Sequence, residues 1–489
     1  MNSYIAIDLG TSGVKLLLVE SNGNILAEHS ECYPIFHPFP DWSEQNPEDW
    51  WQSVKKGLKV ILSGKNTVSI KGISFAGQMH GLVTVDENGE VIRPCILWND
   101  GRSEKQTKYL NESVGQKNLS AYTGNIAFAG FTAPKILWLK ENESENFKKI
   151  KKLLLPKDYI AFKLTGKYCT DYSDASGMLL LDVKNKRWSK EMCNICGILD
   201  DQLPELHESY EAIGTILPEL ANEFGISEKV KVIIGAGDNA AAAIGTGTVG
   251  NGKCNISLGT SGTIFISDNK FTVDSKNALH SFCHTDGNWH IMGCILSAAS
   301  CRKWWLEDIL NTCDYSKDEL DISKIETAGL FFLPYLSGER SPHNDVNAKG
   351  AFIGLTSTTT RAQMSKAVME GVAFALRDCL EVAKANALSL KKATICGGGA
   401  KSMVWCEICA NVLNLPVSIF ETEQGPSYGA AIIAMVGCGE YENILSAIDN
   451  LVKTKSEITP DKQEIEKYNK KYQLFKTLYP LLKDTFSKM

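Results

Sequence analysis

Long hydrophobic runs are absent from this chain of 489 residues. No stretch of 18 or more apolar residues occurs, which excludes a membrane-spanning helix of ordinary length. Residues 1–3 lead directly into a strand-like segment, which is not the pattern of a signal peptide. We therefore expect a cytoplasmic protein without a membrane-embedded part.

A surplus of positive charge is also absent, since 51 lysine and arginine residues stand against 57 aspartate and glutamate residues. The formal net charge of −6 argues against a nucleic-acid partner, which would require a basic face. The hydrophobic content of 44% is ordinary for a globular enzyme. One hydrophobic core rarely extends over 489 residues, so the length predicts two large domains.

Cysteine patterns of the zinc-binding kind are missing, although the chain has 15 cysteines. The two C-x-x-C pairs, Cys193/Cys196 and Cys406/Cys409, have no further cysteine or histidine at zinc-site spacing. A spacing of three places each pair on one face of a helix, so we interpret them as reduced, buried thiols. The Gly-x4-Gly-Lys-Ser/Thr loop of many ATP-binding proteins is absent as well.

One motif is present twice, the tetrapeptide Gly-Thr-Ser-Gly. It occupies residues 10–13 and 259–262, about half the chain apart, and each copy lies between two β-rich segments. A strand, a tight turn and a second strand form a hairpin whose turn exposes backbone N–H groups and hydroxyls, and these can hold a phosphate without a basic pocket. The repeat predicts duplicated domains that grip one polyphosphate.

Strand-like and helix-like segments alternate along the chain, which favours an α/β fold with a mixed sheet in each domain. A hairpin at the start of the sheet excludes a wholly parallel arrangement. Strands are predicted at residues 4–9, 14–20, 24–31, 70–76, 82–86, 230–234 and 392–396, and helices at 50–62, 134–143, 295–310, 361–386, 402–413, 427–436 and 459–486. The glycine-rich stretch 246–253 is the predicted hinge between domains of residues 1–246 and 247–489.

Asp8 lies two residues before the first turn, which begins at Gly10. A carboxylate there repels phosphate unless a divalent cation bridges the two, so we predict that Asp8 ligates Mg²⁺. The alternative is an ordinary turn aspartate. The residues predicted to bind ATP at the two turns are Gly10, Thr11, Ser12, Lys15, Gly259, Thr260 and Ser261.

Asp238 follows a buried strand and the sequence Gly-Ala-Gly. These glycines permit a sharp turn and the close approach of a ligand. Phosphoryl transfer to a hydroxyl needs one carboxylate that orients the nucleophile and accepts its proton, and Asp238 is the candidate. The alternative is that Asp238 caps the helix that begins near Asn239.

Two polar loops are of the type that binds a small polyol. Gln78, Met79 and His80 follow a strand and are bracketed by glycines, and the segment Trp98-Asn99-Asp100 ends a second β-like run. For His80 a packed or solvent-facing histidine is the alternative. A further glycine-rich turn at residues 397–400 lies between a strand and a helix, where it suits the approach of an adenine ring or is simply a tight turn.

Taken in order, these motifs resemble those of the FGGY carbohydrate kinases, which belong to the actin and hexokinase fold superfamily. The resemblance covers essentially the whole chain. Both family signature regions are recognisable, at residues 130–142 and 350–370. Further similar segments are residues 8–15, 77–81, 96–102, 155–159, 280–284 and 332–343. The resemblance implies two actin-like (ribonuclease H-like) domains, each a mixed β-sheet flanked by helices, with a catalytic cleft between them.

The resemblance also implies an activity, the ATP-dependent phosphorylation of D-xylulose at its 5-hydroxyl with Asp238 as proton acceptor. Residues expected to bind or adjoin the sugar are Asp8, Gln78, Met79, His80, Trp98, Asp100 and Asn239. Residues expected to contact ATP in the second domain are Thr260, Gly398, Gly399, Ala400 and Lys401. Small departures from the family pattern at Ala236 and Ser341 change neither charge nor polarity.

Other activities stay open. Gluconate, ribulose or glycerol are alternative acceptors within the family, and gluconate would call for an additional cation, of which none stands beside Met79 and His80 in the sequence. A non-catalytic actin-like ATPase or sugar sensor would keep the phosphate turns but have no need of Asp238 and a polyol loop. The resemblance allows a homodimer, but the sequence does not choose an oligomeric state.

Overall fold

The computed structural model describes residues 1–65, 67–322, 325–327, 329–386, 388–420 and 425–489. The chain divides into two compact units. The first comprises Met1–Val249, Ser281–Trp289 and Gln424–Val452, and the second comprises Gly250–His280, His290–Glu423 and Lys453–Met489. The first unit thus includes a segment that is remote in sequence. The predicted hinge and the assignment of one ligand to each domain stay predictions.

The first unit is built on a mixed sheet. Its strands follow one another in the order Ala212–Thr215, Lys231–Ile233, Ile70–Gly77, Ser3–Leu9, Gly13–Glu20 and Ile25–Cys32. Ser3–Leu9 forms an antiparallel hairpin with Gly13–Glu20 and pairs in parallel with Ile70–Gly77. Ile70–Gly77 also pairs in parallel with Lys231–Ile233 and with the short strand Ala236–Gly237. Three neighbouring strands therefore point the same way.

The second unit repeats this pattern. Its strands follow the order Trp289–Ile295, Gly262–Asp268, Lys253–Leu258, Lys392–Cys396, Val417–Phe420 and Thr454–Ile458. Lys253–Leu258 forms an antiparallel hairpin with Gly262–Asp268 and pairs in parallel with Lys392–Cys396. Lys392–Cys396 pairs in parallel with Val417–Phe420, and the edge strand Thr454–Ile458 is antiparallel. The prediction of a hairpin-led mixed sheet in each half is confirmed.

Helices cover both sheets. Those of eight or more residues are Pro47–Leu62, Gln116–Thr123, Thr132–Asn142, Pro156–Thr165, Asp238–Gly245, Tyr315–Ile322, Arg361–Ala385, Met403–Leu413, Gly425–Cys438, Ile444–Leu451 and Lys462–Phe486. Shorter ones are Glu104–Lys108, Ser144–Lys148, Tyr172–Ala175, Lys190–Cys196, Pro218–Phe224 and Ala299–Lys303. The short strands outside the two sheets include Glu44–Gln45, Val83–Val85, Cys95–Ile96, Lys152–Leu154, Cys169–Asp171 and Glu205–His207. None of the helices in the described ranges is long and apolar enough to cross a membrane.

The predicted helix at residues 295–310 begins too early. Ile295 ends the strand Trp289–Ile295, and the helix starts at Ala299 before widening into a π-helical turn over Trp304–Ile309. A short apolar run is compatible with either a strand or a buried helix, so periodicity could not separate the two here.

Local signals set the start of the helix Pro47–Leu62. The Asn46 side chain accepts a hydrogen bond from the N–H of Glu48 at 3.2 Å, and a proline at the first helical position already has the φ that a helix needs. Trp50 and Leu58 lie on one face and are buried in the core of the first unit. Capping and apolar periodicity therefore agree, as the sequence predicted.

The helix Gly425–Cys438 packs directly on the helix Asp238–Gly245. The two backbones are so close that a Cβ at Gly429 would lie 1.9 Å from the carbonyl oxygen of Ala241. A Cβ at Gly245 would lie 2.2 Å from the carbonyl oxygen of Gly425. Only glycine fits at these two contacts, which fixes the helix that starts with Asp238 against the core.

Candidate active site

The predicted site residues of the first unit follow the carboxyl ends of neighbouring parallel strands. Asp8 lies opposite Ala76 in one strand pair, and Ala236 lies opposite the same residue in the next pair. Asp8, the loop that begins at Gln78, and Asp238 therefore emerge at one edge of the sheet. In α/β sheets this edge is where ligands bind.

Asp238 is the first residue of its helix. Its Oδ1 accepts hydrogen bonds from the N–H of Asn239 at 2.6 Å and from the Asn239 side chain at 2.9 Å. Among the described residues none donates to Oδ2. Burial, with a smaller contribution from the negative charge of Asp8, raises the pKa of Asp238 to about 7. The carboxyl group is thus engaged with the helix end on one side and has the basicity of a general base at neutral pH.

Asp8 has a polar environment that the sequence did not indicate. Its Oδ2 accepts a hydrogen bond from the Ser427 hydroxyl at 2.7 Å. Lys15 lies directly opposite Asp8 in the hairpin. Burial raises the pKa of Asp8 to about 6, and Ser427 and Lys15 oppose this shift.

The two carboxyl groups suit a hard divalent cation. Each is an oxygen donor, and burial disfavours the charge on both. A cation nearby would offset the repulsion from Asp8, which adds to the effect of burial on the pKa of Asp238. The donor set therefore fits a magnesium-like ion.

His80 is held in an unusual backbone conformation, with φ of 70°. Its Nδ1 lies 2.9 Å from the carbonyl oxygen of Gly177, so Nδ1 is protonated and donates this hydrogen bond. Its own carbonyl oxygen accepts from Lys135 Nζ at 2.8 Å and from the Thr132 hydroxyl at 3.1 Å. The ring packs against Phe131. His80 is therefore fixed from both backbone and side chain.

Met79 connects the polyol loop to the candidate base. Its side chain packs against Gly237, and the Asn239 amide lies 3.9 Å from its sulfur. Met79 is buried. The structure thus brings Met79 and Asn239 together beside Asp238.

A chain of hydrogen bonds joins the first phosphate turn to both polar loops. Trp98 Nε1 donates to the Thr11 hydroxyl at 2.9 Å, and this hydroxyl donates to Gln78 Oε1 at 3.0 Å. Gln78 Nε2 donates to Gln45 Oε1 at 3.1 Å, and Gln45 Nε2 donates to the carbonyl oxygen of Thr11 at 2.7 Å. The hydroxyl of Thr11 therefore braces the turn, and its backbone N–H is the group left for a phosphate.

Asp100 is engaged in a buried ion pair with Arg102. Its two oxygens accept from Arg102 at 2.8 and 2.7 Å, and Oδ2 also accepts from the N–H of Ser43 at 2.6 Å. The Arg102 guanidinium stacks on Trp42 at 3.6 Å. In this arrangement Asp100 orients the loop that carries Trp98.

The first Gly-Thr-Ser-Gly turn has the properties of an anion cradle. The N–H of Gly10 donates to the carbonyl oxygen of Gly13 and closes the turn. No described residue accepts from the N–H groups of Thr11 and Ser12. Two adjacent backbone donors without an internal acceptor are what a phosphate oxygen requires.

The second turn has the same character. The carbonyl oxygens of Gly259 and Thr260 accept from the N–H groups of residues 298–300, and Thr260 O also accepts from the Ser300 hydroxyl at 2.7 Å. Within the described part of the chain, nothing accepts from the N–H groups of Thr260 and Ser261. The acceptors of the turn are thus occupied and its donors are not.

The glycine-rich turn Gly397–Lys401 touches this second phosphate turn. Gly397 has φ of 87°, and a Cβ there would lie 3.0 Å from the nitrogen of Gly259, so the position requires glycine. A cavity of about 790 Å³ opens beside both turns. Its lining includes the predicted ATP residues Gly259, Thr260, Gly398, Gly399 and Lys401, together with Trp405. Ser261 and Ala400 do not line it.

Three residues that position this site were not assigned by sequence reasoning: Gln45, Lys135 and Ser427. Gln45 and Lys135 are buried, and burial lowers the pKa of Lys135 to about 7. Lys135 lies in a segment that the resemblance covers, which could have drawn attention to it. No local pattern pointed to the other two, because their partners are remote in sequence.

A separate group of possible metal ligands comprises Cys169, Glu205 and His207, whose ligand atoms lie within 4.8 Å of one another. Glu205 is exposed, and burial raises the pKa of the Cys169 thiol to about 11, which disfavours the thiolate that binds metals. The group contains none of the predicted site residues, and it carries no assignment.

Comparison with known proteins decides the family. Residues 3–245 match the N-terminal domain and residues 254–438 the C-terminal domain of the FGGY family of carbohydrate kinases. The chain belongs to the FGGY family of carbohydrate kinases. Both the predicted membership and the predicted pair of actin-like mixed sheets are thereby confirmed.

Individual FGGY kinases are similar over their full lengths. The xylulose kinase of Escherichia coli K12 is 39% identical over 98% of this chain and 99% of its own. The solved structure of a xyloylose kinase from Brucella ovis has a TM-score of 0.94 at 38% identity, covering 99% of this chain and 100% of its own. A gluconate kinase structure from Lactobacillus acidophilus has a TM-score of 0.95 at 26% identity, covering 100% and 99%. The TM-scores of the xyloylose kinase and the gluconate kinase are nearly equal, whereas the sequence identity is higher to the xyloylose kinase.

Proposed function

We propose that this FGGY kinase transfers the γ-phosphoryl group of ATP to the 5-hydroxyl of D-xylulose, with Asp238 as the general base. The observation that carries the proposal is the Asp238 carboxyl group, whose pKa of about 7 suits a base at neutral pH, beside the polyol loop at Met79. The full-length similarity to xylulose kinases supports D-xylulose as the acceptor.

On this proposal the first unit binds the sugar. The Nδ1 of His80 donates to Gly177, so in the neutral form of the ring Nε2 accepts from a sugar hydroxyl. Asn239 adds amide groups next to the base. Asp238 orients the acceptor hydroxyl and takes its proton as the oxygen attacks phosphorus.

The second unit binds ATP on this proposal. The N–H groups of Thr260 and Ser261 donate to phosphate oxygens, and the 790 Å³ cavity beside Gly398 takes the nucleoside. The N–H groups of Thr11 and Ser12 donate to the phosphoryl group in transfer. Backbone donors of this kind stabilise the charge that develops in the transition state.

Asp8 is the proposed ligand of Mg²⁺, directly or through water. When bound, the ion neutralises charge on the ATP phosphates and thereby favours attack. Ser427 holds the Asp8 carboxyl group in place and favours its charged form.

Gluconate is a poorer fit to the polyol loop. Its carboxylate would need a cation, but Lys135 Nζ donates to the carbonyl oxygens of His80 and Gly130, both at 2.8 Å. The Arg102 guanidinium is paired with Asp100. This lysine and this arginine are thus engaged by the protein itself.

The test is a coupled ATPase assay of the purified protein with D-xylulose, D-ribulose, gluconate and glycerol at equal concentrations. We expect kcat/KM to be highest for D-xylulose by at least about tenfold, a difference of ~1.4 kcal/mol in transition-state binding. NMR of the product should place the phosphate on the 5-oxygen. Preference for another acceptor would overturn the choice of sugar, and ATP hydrolysis that no sugar stimulates would overturn the activity.

A further inference from the structure

A buried charged cluster underlies the candidate base. Lys157, Asp158, Asp171 and Asp174 have side chains with no exposed surface. Lys157 Nζ lies 2.7 Å from Asp158 Oδ1 and 2.9 Å from Asp171 Oδ1. Buried ion pairs contribute little net stability, because desolvation offsets their attraction. The cluster is therefore poorly explained by stability alone, and its hydrogen bonds continue towards Asp238.

Asp171 is the member of the cluster that makes this connection. Its Oδ2 accepts from the hydroxyl of Ser173 at 2.5 Å and from the hydroxyl of Ser209 at 2.7 Å. The N–H of Ser173 donates to the same oxygen at 2.9 Å. Lys157 balances the charge of Asp171 from the other side, so the carboxylate stays an acceptor in a buried place.

The two serine hydroxyls differ in what they do next. A hydroxyl has one proton and two lone pairs, so the bond to Asp171 leaves the Ser173 oxygen as an acceptor. The N–H of Gly237 donates to this oxygen at 3.2 Å. Ser209 acts through its backbone instead, since its carbonyl oxygen accepts from the N–H of Gly235, two residues before Gly237, at 3.0 Å.

Gly237 directly precedes Asp238. Because the distance between consecutive Cα atoms is fixed at about 3.8 Å, a shift of Gly237 also displaces Asp238. On its other side Gly237 pairs with Gly77 and packs against Met79. The Ser173 hydroxyl thus fixes the residue on which the direction of the Asp238 side chain depends. Misplacement of a catalytic group by about 1 Å can cost about a hundredfold in rate.

We propose that Ser173 is a positioning residue for the general base: its hydroxyl, oriented by Asp171, holds the Gly237 amide and so aims Asp238 at the acceptor hydroxyl. The inference rests on the proposed function, because it matters only if Asp238 takes the proton. Ser173 acts through Gly237 and not by contact with substrate.

The test compares Ser173→Ala with Ser209→Ala. Both substitutions remove one buried hydroxyl that donates to Asp171, so both should lower the unfolding temperature by a similar amount. Only Ser173→Ala removes the acceptor of the Gly237 amide. We expect kcat to fall about tenfold or more in Ser173→Ala with the sugar KM changed less than about threefold, and kcat to stay within about twofold in Ser209→Ala.

Two further variants exclude a general structural effect. Ser173→Thr keeps the hydroxyl and should restore most of kcat. Ser173→Cys keeps the volume but substitutes a weak acceptor, so it should fold and still lose kcat, even if the alanine variant is insoluble. In an Asp238→Asn background, Ser173→Ala should change the residual turnover less than about twofold, because an absent base cannot be misaimed.

A readout independent of activity is amide hydrogen exchange in the peptide that spans residues 234–240. Exchange should be faster in Ser173→Ala and close to wild type in Ser209→Ala. Equal kcat in the two alanine variants, or an undiminished effect in the Asp238→Asn background, would overturn the inference. Near-wild-type turnover of Asp238→Asn, or a wild-type protein that phosphorylates no sugar, would instead overturn the proposed function.

Discussion

The Ser427 hydroxyl donates a hydrogen bond to Asp8 Oδ2 at 2.7 Å across 419 positions of the sequence. It belongs to the helix Gly425–Cys438, which packs on the helix that begins with Asp238. One helix therefore supports both carboxyl groups of the candidate site. Because burial raises the pKa of Asp8 to about 6, loss of this donor should raise it further.

Ser427→Ala should weaken metal binding near neutral pH. A hydrogen bond to a charged group is worth about 1.5–3 kcal/mol, so we expect the Mg²⁺ concentration for half-maximal activity at pH 6.5 to rise about tenfold or more. The difference from wild type should shrink at pH 9, where Asp8 is ionised in both. Ser427→Thr keeps the hydroxyl and is the control. An unchanged Mg²⁺ dependence at pH 6.5 would contradict the role of this bond.

Asp238→Asn should reduce turnover by about 10²–10⁴-fold, because the proton acceptor is lost. In the wild-type enzyme, kcat/KM for the sugar should rise as the pH increases and level off above about pH 7, since only the ionised carboxylate accepts a proton. Steady-state rates between pH 5.5 and 9 would measure both. Sugar binding by calorimetry should persist in the variant, and a flat wild-type profile would count against Asp238 as base.

The same substitution should stabilise the fold at alkaline pH. The pKa of Asp238 is about 7 in the folded protein against an ordinary 3.8, so the fold favours the protonated form. This contribution is complete below about pH 4 and is lost as the pH rises through 7. Asparagine does not ionise, so the variant should unfold at a higher temperature than wild type at pH 8.5 and by a much smaller margin at pH 4.5.

The size of that difference is limited to a few kcal/mol, at ~1.4 kcal/mol for each pKa unit. Thermal or urea unfolding at the two pH values is the measurement. Asp182→Asn makes the same change at a carboxylate outside the candidate site and serves as control. A variant less stable than wild type at pH 8.5 would show that Asp238 is held mainly by favourable contacts.

Gly177→Ala should impair sugar binding selectively. A Cβ at Gly177 would lie 2.3 Å from His80 Nδ1, so the imidazole must leave its place. We expect the sugar KM to rise about tenfold or more with little change in the KM for ATP. Gly329→Ala, where the added Cβ meets no heavy atom within 4 Å, is the matched control. An equal rise in both KM values would indicate general disorder rather than a displaced His80.

Most of the fold could be predicted from the sequence because the elements have strong local signals. The predicted strand at 4–9 is Ser3–Leu9 in the structure, and the strand at 392–396 is reproduced with both ends. Each is short, apolar and followed by a turn motif. The repeated Gly-Thr-Ser-Gly turn also indicated two related sheets, which the matching strand orders bear out.

The site was predictable only where its residues carry a local pattern. Asp8 lies near the end of one strand, Met79 and Asp238 follow two others, and the parallel pairing brings them to one edge. Their chemical roles stay predictions. Ser427, Gln45 and the Ser173 hydroxyl could not be found in this way, because their function depends on partners that only the folded chain brings near.

The remote origin of the helix Gly425–Cys438 bears on how the protein is made. More than four hundred residues must leave the ribosome before this helix exists. Until then the Asp238–Gly245 helix lacks the neighbour against which Ala241 and Gly245 pack. The core around this helix can therefore be completed only after residues 425–438 have been synthesised.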